Sequence, residues 1–311
     1  MMLRYDNYFI PKNLEEYFDL LLEVKDYRIL AGCTDVLPWA REGRAGNVYI
    51  QNVIDITNIK ELDVFEIKKD KIKISATTTF QKLFTDPQIR KDIKILPQVS
   101  VWFADDQIRE QATIGGNIVN ASPAGDGCPA FLTLNAQAII MGRKDKDIYE
   151  RRVSLDKFIL GRNKVDLQGN EILAALEMDN TKGYGASFEK VGHRRSLVIS
   201  TVCVSCVART DSSGKLFDDV RVAVAGVREI PCRLEKTEKF LQGKEINEQN
   251  ILEASVLDLD VINARSRLEY RKEVLQNFII RAIIKSVSDK IIIKENYFEN
   301  TKIKKLEEVH A

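Results

Sequence analysis

Arg109-Glu110-Gln111-Ala112-Thr113-Ile114-Gly115-Gly116-Asn117, followed shortly by Ala121-Ser122-Pro123-Ala124-Gly125-Asp126, is the stretch that decides how this chain is read. Adjacent glycines let a backbone approach a ligand closely. A concave run of backbone N–H groups binds anions, phosphates above all. A second segment of the same character lies near the N-terminus: Leu30-Ala31-Gly32-Cys33-Thr34-Asp35-Val36-Leu37-Pro38. It follows the apolar run Arg28-Ile29-Leu30-Ala31, so it sits at the C-terminal end of a strand, where open α/β sheets place their ligands. A single glycine pair is as readily a turn or a bulge. Two such loops in one chain point to a ligand with two phosphates, a dinucleotide.

The way that dinucleotide is held is narrowed by what is missing. No G-x-G-x-x-G opens a helix, so a Rossmann site is not supported, and no G-x-x-x-x-G-K-[ST] is present. The loops are instead irregular and rich in Thr, Asn and Asp, whose hydroxyls and amides suit phosphate oxygens and ribityl or ribose hydroxyls. This combination points to a flavin dinucleotide held between two subdomains.

The bulk properties exclude other classes. At 311 residues the chain has room for two or three domains. Its 47 basic and 46 acidic residues nearly cancel, which leaves no long-range field to attract nucleic acid or lipid. No apolar run is long enough to cross a bilayer, and the first residues lack the apolar core of a signal peptide. A cytoplasmic protein is expected, and five cysteines without regular spacing agree with that. Cys203 and Cys206 form a C-x-x-C within a β-branched run, where residues three apart point to opposite faces. With no second such pair nearby, they read as small buried strand residues rather than a zinc site. His193 and His310 are the only histidines, too few for histidine-based catalysis.

Along the chain, residues 1–56 read as an α/β unit with a helix capped by Asn13 and an apolar face of Leu14, Tyr17, Phe18, Leu21 and Leu22. Residues 57–180 read as a second α/β unit opening with a hairpin around Lys69-Asp70. Residues 181–290 read as three strands followed by helices, and 291–311 as a charged tail.

At this point the chain resembles a known family. Ala31-Gly32-Cys33-Thr34-Asp35 with Leu37-Pro38 is similar to the A-G-G-T-D-L-L-P loop of the FAD-binding subunits of molybdenum hydroxylases. Arg109 to Asn117 resembles their R-N-x-A-T-I-G-G-N, and Ala121 to Asp126 their A-S-P-x-x-D. Weaker echoes occur in Gly169-Asn170-Glu171-Ile172-Leu173, in Ser187-Phe188-Glu189-Lys190 with Arg194 and Arg195, and in Gly226-Val227. The resemblance implies an α+β protein. It would have a two-subdomain FAD-binding fold of the vanillyl-alcohol-oxidase-like (PCMH) type, followed by a C-terminal three-stranded antiparallel sheet with helices.

It also implies FAD, an oxidoreductase role in electron transfer, a molybdopterin-binding large subunit, a 2Fe-2S small subunit, and NAD+ or another acceptor. Carried over residue by residue, Leu30, Ala31, Gly32, Cys33, Thr34, Asp35 and Val36 would form one half of the cofactor site. Thr113, Ile114, Gly115, Gly116 and Asn117 would form the other, the two loops sharing the pyrophosphate. Ser122 and Asp126 would bond the ribityl chain or a phosphate, and Ile172, Leu173 and Lys190 would lie near the isoalloxazine. No metal ligand and no catalytic residue beyond the flavin is expected. Two departures stand out. Cys33 replaces a glycine, which strains the loop if that position needs positive φ, and Glu110 replaces an Asn, harmless if it faces outward. Two other readings fit the residues less fully: a self-contained flavin oxidase of the wider fold, and a scaffold that has lost the flavin.

Overall fold

The structure, a computed structural model, describes residues 2–44, 46, 48–194 and 198–288. The expected tail at 291–311, His310 and Arg195 lie outside the described residues.

Among the described residues, three sheets of three or more strands follow one another, with a two-stranded sheet beside the second. The first is parallel, with β3 (Tyr49–Asp55) between β1 (Arg4–Phe9) and β2 (Tyr27–Leu30). Helix α1 (Leu14–Glu23) covers one face, and α2 (Val36–Arg41) follows β2. The Asn13 side chain caps α1 by accepting the Glu16 N–H at 2.8 Å. Leu14, Tyr17 and Phe18 are buried beneath it, whereas Leu22, expected on the same face, is exposed.

The second sheet has the order β4 (Phe65–Ile67), β5 (Lys71–Ser75), β10 (Glu171–Asp179), β6 (Gln137–Lys144), β7 (Asp147–Ser154), all neighbours antiparallel. Six helices run between β5 and β6: α3 (Phe80–Thr85), α4 (Pro87–Asp92), α5 (Ile95–Trp102), α6 (Asp106–Gln111), α7 (Ile114–Asn120) and α8 (Gly127–Thr133). After β7 come α9 (Leu155–Phe158) and a small hairpin of β8 (Ile159–Gly161) and β9 (Lys164–Val165). Strand β10 is buried on both faces, so its residues show no polar alternation. Leu173 enters the core beneath the helices, while Ile172 and Ala174 complete the core of the first unit with Leu14, Tyr17 and Phe18.

The third sheet is antiparallel, β11 (Gly185–Val191), β12 (Val202–Thr210), β13 (Phe217–Ala225) and β14 (Cys232–Arg233). The two-residue β14 is a fourth strand beyond the three expected; its brevity leaves no periodic signature. Helices α10 (Glu235–Leu241), α11 (Glu248–Ala254) and α12 (Leu268–Val287) close one face. Cys203 packs toward the helical core of the second unit and Cys206 toward α12, on opposite faces of β12. Burial pushes both thiols up, Cys206 to about 12.

Candidate functional site

The first loop begins where β2 stops. The Leu30 carbonyl accepts the Ile56 N–H at 3.0 Å, and the chain then leaves the sheet. Cys33 turns it with φ +56°, inside the left-handed region that glycine normally occupies. Helix α2 starts at once, the Leu37 N–H donating to the Cys33 carbonyl at 3.1 Å. Between these points, the N–H groups of Gly32, Cys33, Thr34 and Asp35 have no acceptor among the described residues. A run of unspent N–H groups across a left-handed residue is an anion-binding concavity.

The second loop differs from its expectation. It is the first turn of α7, capped by Thr113, whose Oγ1 accepts the Gly116 N–H at 3.0 Å while its carbonyl accepts that of Asn117 at 3.0 Å. The Ile114 and Gly115 N–H groups donate to Thr78 and Ala76 carbonyls at 2.9 and 2.7 Å. None of these N–H groups is left for a phosphate. Gly115 is a packing glycine, since a Cβ there would lie 2.6 Å from that of Ala76. What the segment offers the cleft is the bare, exposed Gly116 and the side chains of Thr113 and Asn117. Glu110 is exposed.

The two segments are locked together. A Cβ on Gly32 would sit 1.9 Å from the Gln111 carbonyl oxygen. Further along, Asn120 Nδ2 donates to Asp35 Oδ2 at 2.8 Å. Between them lies a cleft of about 560 Å³, within the usual size of a small-molecule site. Arg28, Trp39, Arg44, Phe103, Asn120 and Asn163 also line it, and none of them was singled out from the sequence. Phe103 is held by the buried Arg109, which donates to its carbonyl at 3.1 Å, and it stacks on Phe80 at 3.9 Å. The Arg44 guanidinium lies 5.6 Å over the Trp39 ring. Trp39 directly follows the quoted loop, but nothing in the sequence marks Asn163, which reaches the cleft by donating to the Asn120 carbonyl at 2.7 Å.

The donor set fits a dinucleotide diphosphate. Four N–H groups and two guanidinium groups face a lining whose one carboxylate, Asp35, is pushed up by burial against the pull of Arg44. At the cleft's inner wall, Asn117 Oδ1 is buried without a partner. A Cβ on Gly127 would meet it at 2.6 Å. Together these groups suit phosphate oxygens and sugar hydroxyls.

The other expected site residues lie elsewhere. Ser122 is half-buried in a turn, its Oγ accepting the Ala124 N–H at 3.3 Å. Asp126 and Lys190 meet each other: Lys190 Nζ donates to Asp126 Oδ2 at 2.5 Å and to the Trp102 carbonyl at 3.0 Å. Ser200 Oγ donates to Asp126 Oδ1 at 2.5 Å. This closed, buried network ties the turn before α8 to the third sheet. Ile172 and Leu173 are core residues on opposite faces of β10, because that strand is covered on both sides. His193 is exposed beside Arg267 Nη1 at 3.2 Å.

The sheets and helices define a class, an α+β protein with a polar cleft between the loop after β2 and the start of α7. The comparisons agree. Residues 3–178 match the FAD binding domain in molybdopterin dehydrogenase, and residues 187–286 the CO dehydrogenase flavoprotein C-terminal domain. The chain belongs to this family, the FAD-binding subunits of the molybdenum hydroxylases, and FAD is its cofactor. It is 29% identical over 286 residues to the nicotinate dehydrogenase FAD-subunit of Eubacterium barkeri, covering 86% of this chain and 92% of that one. It is 27% identical over 293 residues to a putative xanthine dehydrogenase FAD-binding subunit of Escherichia coli, covering 93% and 97%. Among solved structures, a Cu,Mo-CO dehydrogenase chain superposes with a TM-score of 0.84 at 24% identity, covering 93% of this chain and 99% of that one. No helix among the described residues is long and apolar enough to cross a membrane.

Proposed function

We propose that this chain is the electron-transfer flavoprotein of a three-part assembly. A partner carrying molybdopterin oxidises the substrate, a 2Fe-2S partner relays the electrons, and this chain hands them to NAD+ or another acceptor. The bound flavin would supply the exchange between one- and two-electron steps. The chain's own residues do the rest. The N–H groups of Gly32 to Asp35 bind the pyrophosphate oxygens, Gly116 admits the ligand close to α7, and Thr113 and Asn117 present hydroxyl and amide groups to it. Asp126, Lys190 and Ser200 fix the turn bordering the cleft without facing the ligand.

The observation that carries this reading is the row of unspent N–H groups across Cys33. The test is to purify the chain with the subunits that accompany it and record its visible spectrum and extractable flavin. Flavin absorbance with a molybdenum and an iron–sulfur subunit is the expected result; absence of flavin from such a complex refutes the proposal. NAD+ reduction compared with reduction of an artificial acceptor then identifies the outlet. Turnover of a small alcohol by the chain alone would point to a self-contained oxidase.

A further inference from the structure

A second concavity, of about 330 Å³, lies where the Pro123 turn meets the third sheet, and it is lined by Arg162, Arg228, Arg265 and Arg271 with one carboxylate, Glu229. Its walls come from four separate segments. The Gly226 N–H donates to the Pro123 carbonyl at 2.8 Å, and Glu229 Oε1 accepts the Arg162 backbone N–H at 3.2 Å, so the loop of Arg162 is pinned beside Arg228. Arg271, in the first turn of α12, spends its N–H groups on neutral oxygens: the Thr201 and Gly226 carbonyls and, at 3.0 Å, the Ser266 carbonyl. Among the described residues, no carboxylate is ion-paired with Arg162, Arg228, Arg265 or Arg271. Four guanidinium groups against one carboxylate contrast with a chain whose net charge is +1.

Like charges gathered in a concavity repel, and the repulsion grows as the walls exclude water. Burial, helped by Arg267 one turn away, pushes the Arg271 guanidinium down. Guanidinium groups are rigid planar forks that match phosphate oxygens in pairs. We propose that this pocket is an anion site for a small phosphate-bearing molecule, separate from the flavin cleft, with Arg228 and Arg265 as the exposed ligating arms and Arg271 as a fixed charge behind them. The proposal does not depend on which acceptor the flavin serves.

The test titrates inorganic pyrophosphate calorimetrically into the flavin-loaded full chain with its accompanying subunits, in chloride buffer, while flavin content is read by absorbance. Arg228→Ala with Arg265→Ala is the informative variant, because neither side chain supports the backbone as Arg271 does. Binding by the native protein is expected, weakened at least about tenfold in the double variant, since a hydrogen bond to a charged group contributes about 1.5–3 kcal/mol. Flavin content stays unchanged in both. No binding by the native protein, or equal affinity in the double variant, overturns the proposal. So does pyrophosphate that acts by displacing flavin, since that locates the anion in the other cleft. Failure of the chain to carry flavin would instead count against the electron-transfer reading.

Discussion

The strain at Cys33 can be measured by substitution. Its φ of +56° lies in the left-handed region, which costs a residue with a Cβ about 1–2 kcal/mol. At an ordinary position, glycine is less favourable than alanine by roughly 0.5–1 kcal/mol, because it loses more freedom on folding. Subtracting the second effect from the first leaves Cys33→Gly more stable than Cys33→Ala by about 0–1.5 kcal/mol, the reverse of the usual order. Both variants lose the thiol's packing beside Leu30, Ile50 and Val53, so that loss cancels between them. Cys33→Val should be the least stable, its branched side chain being the hardest to hold at positive φ. The assay is the urea midpoint of each purified variant, repeated with FAD present. Greater stability of Cys33→Ala than of Cys33→Gly would refute the reasoning, because the loop would then carry no strain for glycine to relieve.

Gly32→Ala places a Cβ 1.9 Å from the Gln111 carbonyl oxygen, which is backbone and cannot swing aside. A loss of roughly 1–3 kcal/mol and weaker FAD retention are expected, read by denaturation and flavin content. Lys190→Met leaves the Asp126 carboxylate buried without its cation, at a cost of about 3–5 kcal/mol. Adding Asp126→Asn should recover part of it, and a double-mutant cycle with no coupling would count against the network. The Asp211 carboxyl accepts the Leu216 N–H, then the Ser213 hydroxyl and the Ser213 and Lys215 N–H groups, and these hold it down at about 2 from the usual 3.8. Being lowered in the fold, it supports the turn between β12 and β13 above the unfolded value and loses that support as pH falls toward 2. Amide exchange at Lys215 and Leu216 should quicken over that window, and Asp211→Ala should abolish the dependence.

Much of this architecture is legible in local pattern. The Asn13 cap, the hairpin around Lys69-Asp70 and the alternate faces of Cys203 and Cys206 follow from residue spacing and turn chemistry. Strand β10 is not, because a strand covered on both sides carries no alternation. The same burial moves Ile172 and Leu173 from an expected cofactor wall into two separate cores. In the site, the sequence shows which loops meet but not which N–H groups stay unspent. That depends on Ala76 and Thr78, far from the glycines in sequence, presenting carbonyls to Ile114 and Gly115. Asp126 and Lys190 illustrate the same limit. Each is the right residue type for a cofactor contact, and only the fold shows that they satisfy each other.

The core beneath α1 is finished by Ile172 and Ala174, residues made long after Leu14, Tyr17 and Phe18. A ribosome adding 5–20 residues per second needs roughly 6–22 s to pass from Leu62 to Ala174. Through that interval the nascent N-terminal segment exposes an incomplete apolar surface and one half of a site whose other half has not yet docked. If the cleft holds FAD as proposed, loading waits for chains grown beyond β10, and truncations ending before Glu171 should yield a sticky, flavin-free fragment rather than a smaller flavoprotein.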